Sequence, residues 1–226
     1  MQKRKKNLNN LFRFFFKPFR YDVLNSWLKQ DGVVVLDIGC GNHSASKIKI
    51  YYPNCKYYGL DINKNYNNNE RDFLAMEDFY EINLNKEPEK LDIISDNFFD
   101  VIIMSHIIEH LKEGEKILLK LTSKLKKGGI IYIETPAPKT AKFPKAFGLN
   151  FYGDSTHIRP YSISDLDKLL HDNNFEIIKE GTRRSFKRII LLPFYFVGAI
   201  VYYKNIPASI FYDLVGFANY LIAIKK

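Results

Sequence analysis

Four residues within a 25-residue window carry the first recognisable chemistry: Asp37, Gly39, Gly41 and Asp61. The aliphatic run Val33-Val34-Val35-Leu36 precedes them, and it reads as a strand buried on both faces of a parallel sheet. Gly39 and Gly41 then form a bend without Cβ atoms, so a ligand can lie on bare backbone, and a helix is expected from Ser44. A dinucleotide fingerprint would need a third glycine where Ser44 stands, and it would set a pyrophosphate on the helix N-terminus. Asp37 would repel that pyrophosphate. It would suit a ligand that carries an ammonium group and no phosphate. Asp61 closes the run Tyr57-Tyr58-Gly59-Leu60-Asp61, twenty residues after Gly41, where a carboxylate can accept both ribose hydroxyls.

A second group of reactive residues follows the strand expected from Phe99 to Ser105, namely His106-Ile107-Ile108-Glu109-His110. The spelling matches an inverted zinc-protease motif, but that motif needs a long helix and a distant third ligand. A third lies in Asp154-Ser155-Thr156-His157-Ile158-Arg159-Pro160-Tyr161. His157 and His106 are the candidate proton acceptors, because imidazole titrates near neutrality. The alternative for each is a polar contact that shapes its loop, and Glu109 and His110 read as hydrogen-bonded support.

The blocks LDIGCG, YGLDI, FDVIIMSHIIEHL and LKKGGIIYIETP stand in the order and spacing of the class I S-adenosylmethionine-dependent methyltransferases, which the chain resembles from Val33 to Ile178. The resemblance implies an α/β fold, a doubly wound Rossmann-like sheet of seven strands with the last antiparallel. It implies S-adenosylmethionine as cofactor, in contact with Asp37, Gly39, Cys40 and Gly41 at the turn and with Asp61 and Ile62 after the second strand. Asn83 and Leu84 are expected beside the adenine, where the family usually has an acid and an apolar residue, and Ser105 at the end of the fourth strand. The stretch THIRPYS is expected to border the acceptor. Some members that methylate oxygen hold a divalent metal with two acids and a histidine. Here His106 replaces the first acid, and no metal is assigned.

The elements that must position these residues follow from periodicity. Helices are expected over Leu8 to Phe19, amphipathic with Arg13 and Lys17 between aromatics, and over Tyr21 to Leu28. Another is expected around Ile117, Leu118, Leu121 and Leu125, ended by Lys126-Lys127-Gly128-Gly129. A fourth starts at a capping box of Ser162 and Asp165. Further strands are expected at Tyr80–Leu84, Ile130–Glu134, Phe175–Lys179 and Tyr220–Ile224, with Thr135 to Thr156 as an exposed loop over the pocket. The organisation expected is a basic, aromatic arm over residues 1–30 and a catalytic domain over 31–226. A helical insertion at about 183–217 precedes the last strand.

Composition limits the partners. The formal charge is +9, of which residues 1–20 hold +7 with no acid, so the remainder is close to balanced and is not a nucleic-acid surface. Two cysteines give no disulfide framework and fit a cytoplasmic protein. The apolar run Ile189 to Tyr203 is too short to cross a bilayer, yet with Arg183, Arg184, Lys187 and Arg188 before it, it repeats the basic-then-apolar pattern of the N-terminus. An anionic membrane surface is therefore a candidate partner, and location peripheral to the inner face of the membrane follows from it. The function expected is methyl transfer to a small-molecule or lipid-linked acceptor, at oxygen. The rival is a non-catalytic, cofactor-binding scaffold at the membrane.

Overall fold

The computed structural model describes residues 17–145, 148–203 and 208–226. Seven strands form one sheet: β1 (Val34–Ile38), β2 (Lys56–Asp61), β3 (Asp78–Glu81), β4 (Phe99–Ser105), β5 (Leu125–Pro136), β6 (Phe175–Thr182) and β7 (Ala218–Lys225). Their order is β3-β2-β1-β4-β5-β7-β6, with β7 antiparallel to both of its neighbours and the rest parallel. This is the doubly wound sheet the sequence predicts. β1 and β4 sit in the middle because Val35, Leu36, Ile102, Ile103 and Met104 can be buried on both faces without a polar group to satisfy.

The helices are α1 (Phe19–Val23), α2 (Asn25–Leu28), α3 (Ser44–Tyr51), α4 (Glu70–Leu74), α5 (Gly114–Thr122), α6 (Ile163–His171), α7 (Phe186–Ile190), α8 (Leu192–Tyr203) and α9 (Tyr212–Val215). One layer of the core packs α5 and α6 on the sheet through Leu118, Leu121 and Leu170. The other packs α1 to α3 through Tyr21, Leu24, Leu28 and Ile48. The capping box at α6 forms as expected, with the Asp165 amide donating to Ser162 Oγ and the Ser162 amide to Asp165. Both cysteines are free and buried. No helix among the described residues is long and apolar enough to cross a membrane.

Several elements depart from the expectation. The single helix over Tyr21 to Leu28 is broken at Leu24 into α1 and α2. Most of the helix expected over Leu8 to Phe19 lies outside the described residues. α5 ends at Thr122, and Leu125 already belongs to β5; Lys126 is held there by Asp100 at 2.7 Å and Gly128 turns at φ +77°. β3 starts and stops earlier than predicted. Its pairing with β2 ends at Glu81, and the Asn83 carbonyl instead accepts the amides of Lys86 and Glu87 in a turn. The exposed loop expected over Thr135 to Thr156 is found in part: residues 152–156 are exposed, and Asp154 and Thr156 line a pocket, while other positions are built into the fold. β5 continues through Pro136 opposite Ala218, Thr140 and Phe151 are fully buried, and the Asn150 amide caps the carbonyls of Ala141 and Phe143.

Candidate active site

The carboxyl ends of β1, β2 and β4 meet at a cleft of about 460 Å³, within the range of small-molecule sites. Gly39 turns at φ +72°, and a Cβ there would lie 2.1 Å from Ile107 Cδ1. A Cβ on Gly41 would lie 2.6 Å from the Tyr66 ring. The turn thus offers bare backbone between two hydrophobic walls. Its second half is fixed by charge: the Gly41 amide donates to Asp61 Oδ2 at 3.0 Å, and the Ile62 amide donates to Asp61 Oδ1 at 2.7 Å. Burial pushes the Asp61 carboxyl upward, partly offset by those amides. Each carboxylate oxygen keeps acceptor capacity beyond these amides. Ile62 is 58 % exposed, and with Leu84 it supplies apolar surface to the cleft.

Of the nine residues expected at the cofactor, Gly39, Gly41, Asp61, Ile62, Asn83, Leu84 and Ser105 line this cleft. Asn83 Oδ1 also accepts the Asn85 amide at 3.1 Å, which holds the side chain in place. Asp37 and Cys40 do not line it. Asp37 is 2 % exposed and accepts the Tyr57 hydroxyl at 2.8 Å. Burial raises its carboxyl, and the Arg20 charge works against that rise. Cys40 Sγ occupies the space over Gly59, where a Cβ would meet it at 2.6 Å. Asp37 braces the turn from behind through Tyr57, and Cys40 does so by packing over Gly59.

A second cavity of about 360 Å³ lies beside the cleft, lined by His157, Tyr212 and Phe217 and sharing His106, His110 and Asp154 with it. His106 sits in the left-handed region at φ +58°, with Nδ1 3.3 Å from Glu109 and Nε2 3.0 Å from Glu134. Burial alone would lower its pKa, but the bonds to the two carboxylates win and raise it to about 9. Burial likewise opposes the charge of Glu134, yet Arg183 at 2.8 Å, and then His106, hold that carboxyl well below its usual range. Tyr132 also donates to Glu134.

His157 and His110 face each other with ring centroids 4.6 Å apart. His157 Nδ1 is 2.6 Å from the Phe151 carbonyl and must be the donor there, which leaves Nε2 as the lone-pair nitrogen of the neutral ring. His110 Nδ1 lies 2.9 Å from Thr156 Oγ1, and that hydroxyl donates to Asp154 at 2.6 Å, so His110 takes the same tautomer. Glu109, His110 and His157 bring one ligand atom each within 4.8 Å of one another.

Sequence reasoning missed Arg20, Tyr212 and Phe217, quoted Asp154 without giving it a role, and gave His110 only a supporting part. Arg20 lines a small cavity of about 200 Å³ with Ser105, His106 and Glu134. Its Nη2 donates to Ser44 at 3.3 Å, while its Nε is buried without a hydrogen-bond partner. Within a run of basic and aromatic residues nothing marks it out. Asp154 stood next to His157 in sequence, and that proximity was the available signal.

The family model described as a methyltransferase domain matches residues 7–180. No curated protein is matched. Among solved structures, the chain is similar to a SAM-dependent methyltransferase from Archaeoglobus fulgidus at 21 % identity and TM-score 0.60, over 96 % of this chain and 99 % of that one. It is similar to an S-adenosylmethionine-dependent methyltransferase from Mesorhizobium loti at 14 % identity and TM-score 0.63, over 93 % and 100 %. The cyclase SpnF shares the fold at 16 % identity and TM-score 0.57, over 90 % and 78 %. With the domain match spanning most of the sequence and the glycine turn and Asp61 in place, the chain belongs to the methyltransferase-domain family, as a class I enzyme whose cofactor is S-adenosylmethionine.

Proposed function

We propose that the enzyme transfers the methyl group to an oxygen of a small-molecule or lipid-linked acceptor seated between His110, His157, Tyr212 and Phe217. One observation carries this reading: the cofactor cleft and the second cavity share the walls His106, His110 and Asp154, so two ligands can meet there. S-adenosylmethionine supplies an electrophilic methyl on a sulfonium. Asp61 accepts ribose hydroxyls, Gly39 and Gly41 give the methionyl end a flat floor, and Arg20 offers its cation to a carboxylate. Holding both reactants in line contributes on the order of 7 to 11 kcal/mol at best.

His157 Nε2 takes the proton from the acceptor oxygen. Its Nδ1 is committed to Phe151, which fixes the ring and the tautomer. His106 is unsuited to that step, because a ring held protonated to about pH 9 has no lone pair to offer at neutrality. It serves as the cation between Glu109 and Glu134. The acceptor is taken to come from an anionic membrane face, a reading supported by the +7 charge of residues 1–20 and by exposed apolar helices before β7.

The test is incubation with methyl-labelled cofactor and separate small-molecule and lipid extracts, read by mass spectrometry. Label entering one class of oxygen-bearing acceptor supports the proposal. Cofactor binding with no label in any fraction turns to the scaffold reading.

A further inference from the structure

Exposed apolar side chains recur along α7 and α8, two helices separated by a turn at Leu191. Phe186, Ile190, Phe194, Val197 and Val201 recur every three or four residues and are 77, 73, 74, 60 and 64 % exposed. Phe196 and Ile200 extend the exposed arc to about half of the circumference of α8, at about 100° per residue, while Ala199 faces the protein. An apolar helix in water is a cost unless something covers it.

Charge indicates what covers it. Between Gly181 and Tyr212 the sequence has five cations and no acid. Arg183, Lys187 and Arg188 turn inward to Glu134, Asp22 and Asp213. Arg184 stays exposed beside Lys139, their amino ends 3.3 and 3.1 Å from where a Cβ of Gly216 would stand. The stripe carries no polar side chain of its own to set the register of a protein partner, which a protein interface ordinarily supplies at its rim. A bilayer needs no register. At 12 residues, about 18 Å, α8 fits in the plane of an interface and is too short to cross one.

We infer that α7 and α8 seat the protein on an anionic bilayer surface. The same insertion supplies Tyr212 and Phe217 to the acceptor cavity, and α7 packs on α9, so the docking face and the cavity wall are one piece of structure. The source of the acceptor rests on the methyltransferase reading above; the docking itself does not.

Cosedimentation with phosphatidylglycerol-containing and pure phosphatidylcholine vesicles tests it. The full chain pellets with the anionic vesicles, less so at high salt, and Phe194→Glu/Val201→Glu weakens this about tenfold or more while S-adenosylmethionine affinity in calorimetry holds. Phe194→Trp, which keeps an aromatic residue at an exposed site, gives a blue-shifted emission with anionic vesicles alone. Absence of pelleting by the wild type, or pelleting unchanged in the double variant, overturns the inference; the second result assigns the contact to residues 1–20. A dimer in sedimentation velocity that the double variant dissolves, with no vesicle binding, overturns it in favour of a second copy. Cofactor titration without vesicles reports separately on the methyltransferase reading.

Discussion

The Gly41 amide donates to Asp61 Oδ2 at 3.0 Å, joining the glycine turn after β1 to the end of β2. One carboxylate therefore shapes the floor of the cleft and, in the function proposed above, presents acceptors to the ribose. Asp61→Ala removes both functions. Hydrogen bonds to a charged group contribute about 1.5–3 kcal/mol each, so cofactor affinity falls roughly 10- to 100-fold or more in calorimetry. Affinity equal to the wild type would show that Asp61 does not hold the ribose.

Gly39→Val fails for a different reason. The backbone there is in the left-handed region, and the new Cβ would meet Ile107 Cδ1 at 2.1 Å. Strain of about 1–3 kcal/mol translates to a Tm roughly 2–12 °C lower for a chain of this size, with cofactor binding lost. Differential scanning calorimetry with and without cofactor separates the two effects.

If His157 takes the proton, His157→Ala lowers turnover about 10²-fold or more with cofactor affinity kept. His110→Ala disturbs the facing ring and the Thr156–Asp154 chain, and it costs less. His106→Gln leaves the proton-transfer limb of the pH–rate profile where it was. Turnover of His157→Ala equal to wild type between pH 6 and 9 would move the base elsewhere.

The His106 pair also predicts a pH dependence of stability. A histidine near 6.5 when unfolded and about 9 when folded contributes stability that is complete below about pH 6.5 and is lost as pH rises through 9. Glu134, held below its usual range, contributes above about pH 4.5 and loses that contribution as pH falls. Wild-type Tm should therefore decline on the alkaline side from about pH 6.5 to 9. His106→Gln should flatten that decline; an identical slope in the variant would show that the ring is neutral in the folded protein.

β1 and β4 were legible because each is built on an aliphatic run, Val33-Val34-Val35-Leu36 and Val101-Ile102-Ile103-Met104, and such runs permit little besides a buried strand. β3 was misplaced because it is an edge strand, where Tyr80 and Ile82 look alike in sequence and the ladder to β2 decides the end. The stretch from Thr135 to Thr156 looked like a loop throughout since its three prolines hide periodicity, whereas the buried Phe151 and the Asn150 caps give part of it a fixed shape only in three dimensions. In the site, glycines and Asp61 announce themselves by type and spacing. Asp37 has the right type, yet its side chain is buried against the Tyr57 hydroxyl, under the charge of Arg20, and does not line the cleft. Arg20, Tyr212 and Phe217 come from distant segments that only the closed fold brings to the two cavities sharing His106 with the cleft.

The most direct measurement is the stoichiometry of transfer, with methyl label in the acceptor counted against S-adenosylhomocysteine released over the same interval. Two ligands meeting across His106, His110 and Asp154 predict equal amounts of both, release at background without an acceptor fraction, and neither product from Asp61→Ala at cofactor concentrations that saturate the wild type. Release of S-adenosylhomocysteine without labelled acceptor, or bound cofactor that yields neither product with any fraction, would contradict the account.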